Sequence, residues 1–154
     1  MGDGAISNGQ ISASSQLDAD HAAINGRITS STKGSWSAFN NDVSEWLQID
    51  LSSQEHTLVA KIATQGENAK SQWVKHYTLQ YSNTGLSFYL YKGQGQSEGK
   101  VGKQITFNEH QTDISSDLHV FTRGAIVLHD VISCLPSARA LLMTLIGLII
   151  MTFL

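Results

Sequence analysis

The fold is decided by the stretch WLQIDL, residues 46–51, in which apolar and polar side chains alternate. Leu47, Ile49 and Leu51 fall on one side of an extended chain, and the residues between them are polar. A period of two is typical of a strand with one buried and one solvated face. The stretch therefore predicts a β-strand that packs one face on a core.

The same alternation returns along the chain, with polar turns and no amphipathic helix between the alternating segments. SNTG, residues 82–85, predicts a hairpin turn in which Gly85 takes a positive φ. Many short strands joined by turns predict an all-β sandwich or barrel. The further alternating sets are Leu58, Ala60 and Ile62; Tyr77, Leu79 and Tyr81; and Leu86, Phe88 and Leu90.

Length, composition and charge limit the class of protein. The 154 residues suffice for one ordinary domain, and 41% apolar with 15% charged residues indicates a globular chain. A formal charge of −3 without a basic run excludes the usual nucleic-acid binder, so no nucleic-acid partner is expected.

Motifs for catalysis are absent from the sequence. The six histidines form no zinc-binding motif, and no nucleophile elbow or phosphate-binding loop occurs. The sequence therefore predicts a protein that is not an enzyme.

The ends of the chain carry few recognisable signals. The start has neither a basic nor an apolar segment, so no signal peptide is visible. Residues 140–154 contain no charged side chain and are predicted to form an apolar helix. Its length of ~22 Å falls short of a ~30 Å hydrocarbon core. Three interpretations stay open: a membrane-associated or lipid-anchor signal tail, a buried core segment, or an aberrant gene end.

Ordered blocks of the chain resemble the discoidin, or coagulation factor 5/8 type C, domain. The resemblance is strong over residues 2–92 and weak beyond, so we expect a discoidin-type domain over 1–113. Residues 114–139 are expected to hold degenerate last strands, followed by the tail at 140–154. The blocks are GAISNGQISASS (4–15), WSA (36–38), EWLQIDL (45–51), ATQG (63–66) and WVKHYTLQYS (73–82).

The resemblance implies a jelly-roll, galactose-binding-like β-sandwich of about eight antiparallel strands. It also implies a disulfide that this chain cannot form, because Cys134 is its only cysteine. We therefore expect incomplete closure of the sandwich, with a loss of ~2–5 kcal/mol of stability.

In this family three loops at one end of the sandwich hold the ligand, and they correspond to residues 16–21, 29–35 and 65–72. Carboxylates, amides and imidazoles in these loops suit sugar hydroxyls, so a galactose-like glycan is the favoured ligand. Trp36 and Trp73 flank the loops, and core packing competes with ligand contact for both. The predicted ligand-binding residues are Leu17, Asp18, Asp20, His21, Asn25, Lys33, Asn68, Lys70, Gln72 and Trp73.

The resemblance predicts an extracellular or cell-surface binding module for cell adhesion, with a cell-surface or matrix glycan as partner. A membrane phospholipid, a collagen-like matrix protein and a non-functional fragment are the alternatives. Asp18 and Asp20 are too few hard ligands to predict a calcium site, so no cofactor is expected.

Overall fold

Nine β-strands lie in the described part of the computed structural model, which covers residues 6–27, 35–40, 42–53, 57–65, 73–91, 105–106, 114–122, 124–134 and 146–152. Two short 3-10 turns, Asn8–Gln10 and Ala23–Asn25, accompany them. The strands are β1 (Ile11–Ala13), β2 (Trp46–Asp50), β3 (Thr57–Gln65), β4 (Trp73–Ser82), β5 (Tyr89–Leu90), β6 (Ile105–Thr106), β7 (Ile114–Thr122), β8 (Ala125–Cys134) and β9 (Ile146–Thr152).

The strands form two antiparallel sheets. The larger sheet has the order β1-β2-β8-β4-β5, with β6 beside β4, and the smaller has the order β7-β3-β9. Val59 and Ile62 of β3 share one buried cluster with Leu47 of β2 and Leu79 of β4, so the sheets pack face to face. The predicted all-β sandwich is confirmed.

The alternation of β2 and β4 is confirmed in the core. Leu47, Ile49 and Leu51 are buried, as are Tyr77 and Leu79. Burial of a large apolar side chain contributes about 1.5–3 kcal/mol, so these strands supply much of the driving force for folding.

The alternation predicted for β3 is wrong, because a bulge interrupts the strand. The register shifts between Val59 and Lys61 against both neighbouring strands. Val59 and Ile62 are buried, whereas Leu58 is only half-buried. A bulge adds one residue to a strand, and the side chains beyond it change faces.

The strand predicted through Leu86, Phe88 and Leu90 is also wrong. Within the predicted strand, only Tyr89–Leu90 pair with β4, and Leu86 and Phe88 are exposed. Residues 83–87 form bends and no strand, and Gly85 among them has the predicted positive φ of 74°. The two apolar side chains therefore lie outside the core.

The helix predicted for residues 140–154 is wrong over Ile146–Thr152, which form β9 along one edge of β3. Three isoleucines and a threonine in this segment favour extended backbone, and the β3 edge offers partners for its N–H and C=O groups. The three interpretations of the tail, the division at residue 113 and the incomplete closure stay predictions. No helix in the described part of the chain is long and apolar enough to cross a bilayer.

Candidate ligand-binding rim

Loop 1, residues 14–25, leaves the larger sheet at the end of β1. The Ser14 N–H donates to the Trp46 carbonyl at 3.0 Å, and the Trp46 N–H donates to Ser14 Oγ at 2.9 Å. These two bonds continue the β1–β2 ladder by one residue. The loop therefore starts from a fixed point at the beginning of β2.

A buried carboxylate holds the base of loop 1. Glu45, only 3% exposed, accepts hydrogen bonds at Oε2 from the hydroxyls of Ser14 and Ser15, the latter at 2.7 Å. Ser15 Oγ in turn accepts the Phe39 N–H at 2.9 Å. Hydrogen bonds to a charged group are stronger than neutral ones, so this arrangement stiffens the start of the loop.

The segment 35–40 lies across loop 1. Trp36 is fully buried, and its indole N–H donates to the Ser15 carbonyl at 2.9 Å. The Leu17 N–H donates to the Ser37 carbonyl at 2.8 Å, and the Ser37 N–H donates to the His21 carbonyl at 3.2 Å. We call loop 1 together with the segment 35–40 the rim. Because Trp36 is enclosed, it serves as a support of the rim and offers no face to a ligand.

Asp18 turns one carboxylate oxygen towards its own loop. Its Oδ1 accepts the N–H groups of Asp20 and His21, each at 3.0 Å, and lies 2.6 Å from Nδ1 of His21. The side-chain hydrogen bond with His21 lowers the pKa of Asp18 below its ordinary value, and the backbone N–H groups add to this effect. Asp18 thus shapes the turn that carries its neighbour Asp20.

Asp20 lies exposed on this turn. Its backbone carbonyl accepts the side-chain amide of Asn25 at 2.8 Å. Its carboxylate makes no hydrogen bond within the described residues, and it therefore points into solvent as an acceptor. Asn25 fixes the backbone of the turn while the Asp20 side chain stays available.

The structure brings together half of the predicted ligand-binding residues on loop 1: Leu17, Asp18, Asp20, His21 and Asn25. Trp73 is the first residue of β4, opposite Cys134 in register. The remaining predicted residues, which lie outside the described part, are Lys33, Asn68, Lys70 and Gln72.

The register of the larger sheet shows which strands end on the same side as loop 1. His129 of β8 lies opposite both Trp46 and Thr78, and β4 extends from Thr78 back to Trp73 on the side where loop 1 begins. Trp73 therefore lies at the end of the larger sheet that carries the rim. The predicted gathering of the first and third loops stays a prediction, because residues 66–72 lie outside the described part of the chain.

Sequence reasoning missed two apolar side chains beside the rim. Phe39 is 58% exposed and Val43 59% exposed. Phe39 is anchored through its backbone to Ser15, so the ring belongs to the rim itself. The sequence offers only a weak signal for this exposure: Phe39 is followed by the polar run 40–42, but Trp36, three residues earlier, is buried.

Within the described residues, no group of three or more His, Cys, Asp or Glu side chains is placed to hold a metal ion. Calcium binding gains no support from the arrangement of Asp18 and Asp20.

Comparison with known proteins places this geometry in a family. The model of the F5/8 type C domain matches residues 10–115. Lactadherin of Sus scrofa is 46% identical over 68 residues, which are 43% of this chain and 16% of that protein. Lactadherin of Bos taurus is 39% identical over 82 residues, 51% of this chain and 19% of that protein. The matched parts span less than a fifth of these relatives.

Solved structures share the fold. Discoidin II from Dictyostelium discoideum has a TM-score of 0.70 at 20% identity, covering 89% of this chain and 52% of that one. A family 32 module from Clostridium perfringens, in complex with GalNAc-β-1,3-galactose, has a TM-score of 0.59 at 10% identity, covering 82% of this chain and 91% of that one. Such low identities establish the architecture, and the function has to be argued from the rim.

Proposed function

The chain belongs to the F5/8 type C domain family, and from this premise we propose that it is a non-enzymatic module whose rim binds a glycan with a galactose-like sugar. The family match covers the strands and loops that build the rim. The proposed partner is a cell-surface or matrix glycan, and the proposed setting is adhesion or recognition outside the cell.

The observation that carries this proposal is that the rim holds both an available carboxylate and an exposed aromatic ring. The Asp20 carboxylate makes no hydrogen bond within the described residues, and the Phe39 ring is exposed. A sugar presents hydroxyl groups on its edge and C–H groups on its face. The carboxylate accepts bonds from the hydroxyls, and the ring packs on the C–H face.

Asp20 and Phe39 belong to two segments of the rim that backbone hydrogen bonds hold together. Ser37 bonds to the backbone of Leu17 and His21, and Phe39 follows two residues later. Asp20, which precedes His21, and Phe39 are therefore carried by neighbouring segments of the rim.

Charge at the rim disfavours an anionic lipid as the ligand. Asp18 and Asp20 are both exposed, and hydrogen bonding with His21 lowers the pKa of Asp18, so this carboxylate is ionised at neutral pH. Two carboxylates repel an anionic headgroup, whereas a neutral sugar incurs no such repulsion.

Similar structures support the glycan proposal only at the level of the fold. The Clostridium perfringens module above is in complex with GalNAc-β-1,3-galactose. A second family 32 module, from NanJ of the same organism, is in complex with galactose and has a TM-score of 0.50 at 14% identity. These complexes show that sandwiches of this shape carry sugar sites.

The test is a glycan array followed by calorimetric titration of the best galactose-type ligand. Asp20→Asn is expected to weaken binding about tenfold or more, because a charged acceptor becomes neutral. Phe39→Ala is expected to weaken it by a similar factor through loss of the stacking face.

The matched control is Asp50→Asn at the other end of β2, where Oδ1 accepts the Ser52 N–H at 2.8 Å. This variant is expected to bind like the parent. An array without any bound sugar, or equal affinities for Asp20→Asn and Asp50→Asn, would contradict the proposal.

A further inference from the structure

The hairpin of residues 82–89, which we call the tip hairpin, lies at the end of the larger sheet opposite the rim. Ala125 of β8 lies opposite both Asp50 and Ser82, so the hairpin begins where β2 ends. The ten residues of β4 span about 30 Å between this end and the one that carries the rim. The two surfaces are therefore separate.

The tip hairpin violates the apolar alternation of its own sequence. Leu86 is 89% exposed and Phe88 37%, although their alternation with Leu90 predicts a strand that buries this face. Tyr89, on the opposite face of that predicted strand, is 57% exposed. A single exposed leucine is unremarkable, but three exposed large apolar side chains within residues 86–89 make the hairpin an apolar surface. Departures from local rules occur preferentially at functional surfaces.

Hydroxyl groups hold the hairpin in one conformation. Ser82 Oγ accepts the N–H groups of Thr84 at 3.2 Å and Gly85 at 2.8 Å, and Thr84 Oγ1 accepts the Leu86 N–H at 3.2 Å. Gly85 adopts the left-handed φ of 74° that suits glycine. Leu86 is thus presented by a preformed backbone, so little ordering entropy is lost on contact.

The hairpin and the parts of the chain next to it carry no charged side chain. Residues 77–91 contain no Asp, Glu, Lys, Arg or His, in a chain whose formal net charge is −3. Tyr81 and Tyr89 place their ring centroids 5.9 Å apart at the base of the hairpin. An apolar apex above amphipathic tyrosines matches the polarity profile of a membrane interface.

We propose that the tip hairpin is a membrane-contact site that inserts Leu86 into the interface of a zwitterionic phospholipid bilayer. Phe88 and Tyr89 lie at the headgroup level, and the rim points away from the membrane towards the surroundings. This proposal is independent of the glycan proposal, because the two surfaces share no residue.

The exposed area favours a bilayer over a second copy of the chain. The three side chains expose on the order of 350 Å² together, given the 150–250 Å² of a whole aromatic residue. Two such patches bury about 700 Å², below the roughly 1,000 Å² expected of a specific protein interface. A protruding apolar apex needs no matching surface in a bilayer, since acyl chains adapt to it.

The test measures binding of the full chain to phosphatidylcholine vesicles by co-sedimentation. The parent chain is expected to bind weakly, and Leu86→Ser is expected to reduce the partition coefficient about tenfold or more. The control is Val43→Ser, which removes an exposed apolar side chain outside the hairpin, 59% exposed against 89% for Leu86, and is expected to leave the partition coefficient unchanged.

Insertion itself is tested with Leu86→Trp, compared with Val43→Trp. The indole at position 86 is expected to shift its emission to the blue and to be quenched by brominated phosphatidylcholine, and the indole at position 43 is expected to do neither. Lack of binding by the parent chain, equal losses for Leu86→Ser and Val43→Ser, or a dimer that Leu86→Ser dissociates would overturn the proposal.

Discussion

The rim and the tip hairpin lie at opposite ends of one sheet and are built by similar means with opposite results. Serine hydroxyls fix both: Ser15 links Glu45 and Phe39 at the rim, and Ser82 holds two N–H groups of the hairpin. The rim then exposes carboxylates, whereas the hairpin exposes only uncharged side chains. The hydrogen bonds of the serines thus hold the backbone at both ends, and the exposed side chains give the two ends different polarity.

The largest expected effect on this comparison comes from Trp36→Ala, because Trp36 belongs to the core cluster of the sandwich and also supports the rim. The side chain is fully enclosed and donates to the Ser15 carbonyl. Truncation is expected to lower the free energy of unfolding by about 3–5 kcal/mol. Denaturant unfolding measures this loss, and a loss below about 1 kcal/mol would mean that Trp36 is not enclosed.

Gly124, just before β8, lies against the backbone of the hairpin, so a larger residue there is expected to disturb it. A Cβ there would lie 2.5 Å from the Ser82 carbonyl oxygen and 2.9 Å from the Gly85 nitrogen, so the backbone of the hairpin would have to move. Gly124→Ala is expected to lower the free energy of unfolding by about 1–3 kcal/mol, as overpacking does.

Gly9→Ala is the control for this substitution, since a Cβ at Gly9 meets nothing within 4 Å. Equal unfolding free energies for the two alanine variants would contradict the close contact between Gly124 and the hairpin.

Glu45→Gln is a milder substitution that tests the base of the rim separately from the hairpin. The amide keeps the shape of the side chain but replaces the charged acceptor of the Ser14 and Ser15 hydroxyls. A loss of about 1 kcal/mol in the free energy of unfolding is expected.

Hydrogen exchange at the Phe39 amide, which bonds to Ser15, should accelerate in this variant. Exchange at the Gly85 amide of the hairpin should not change. Acceleration at both amides would mean that the two ends are not independent.

The smallest expected effect is a pH dependence confined to loop 1. Hydrogen bonding with His21 lowers the pKa of Asp18 below its ordinary value of 3.8 in the folded chain. The resulting stabilisation is present above 3.8 and is lost as the pH falls through the lower folded pKa. An NMR titration of Asp18 should show a midpoint below 3.8, and His21→Gln should raise it towards that value. An unchanged midpoint in His21→Gln would contradict the contact.

Sequence patterns predicted the strands whose burial is regular and failed where a local irregularity intervenes. The alternation of Leu47, Ile49 and Leu51 reports burial directly, since β2 is straight between two neighbours. The bulge between Val59 and Lys61 has no sequence signal comparable to glycine or proline, so the faces of β3 were assigned wrongly. Composition suggested a helix at the tail, but pairing with β3 is a long-range effect that no local pattern contains.

The sequence predicts where the candidate site lies better than it predicts which hydrogen bonds each of its side chains makes. The polar residues of loop 1 could be identified, but a sequence does not show that one oxygen of Asp18 is committed to backbone N–H groups while Asp20 makes no such bond. Phe39 was missed because its exposure depends on the Ser15 hydrogen bond and the burial of Trp36. Both distinctions arise from contacts between segments distant in sequence.

The most direct test of the rim as the recognition surface is an NMR titration of the labelled chain with a galactose-type disaccharide. We predict that amide shift changes concentrate at residues 17–25 and at Phe39, with the amides of residues 82–89 unchanged. Changes centred on the hairpin, or none at any sugar concentration, would contradict the assignment of glycan binding to the rim.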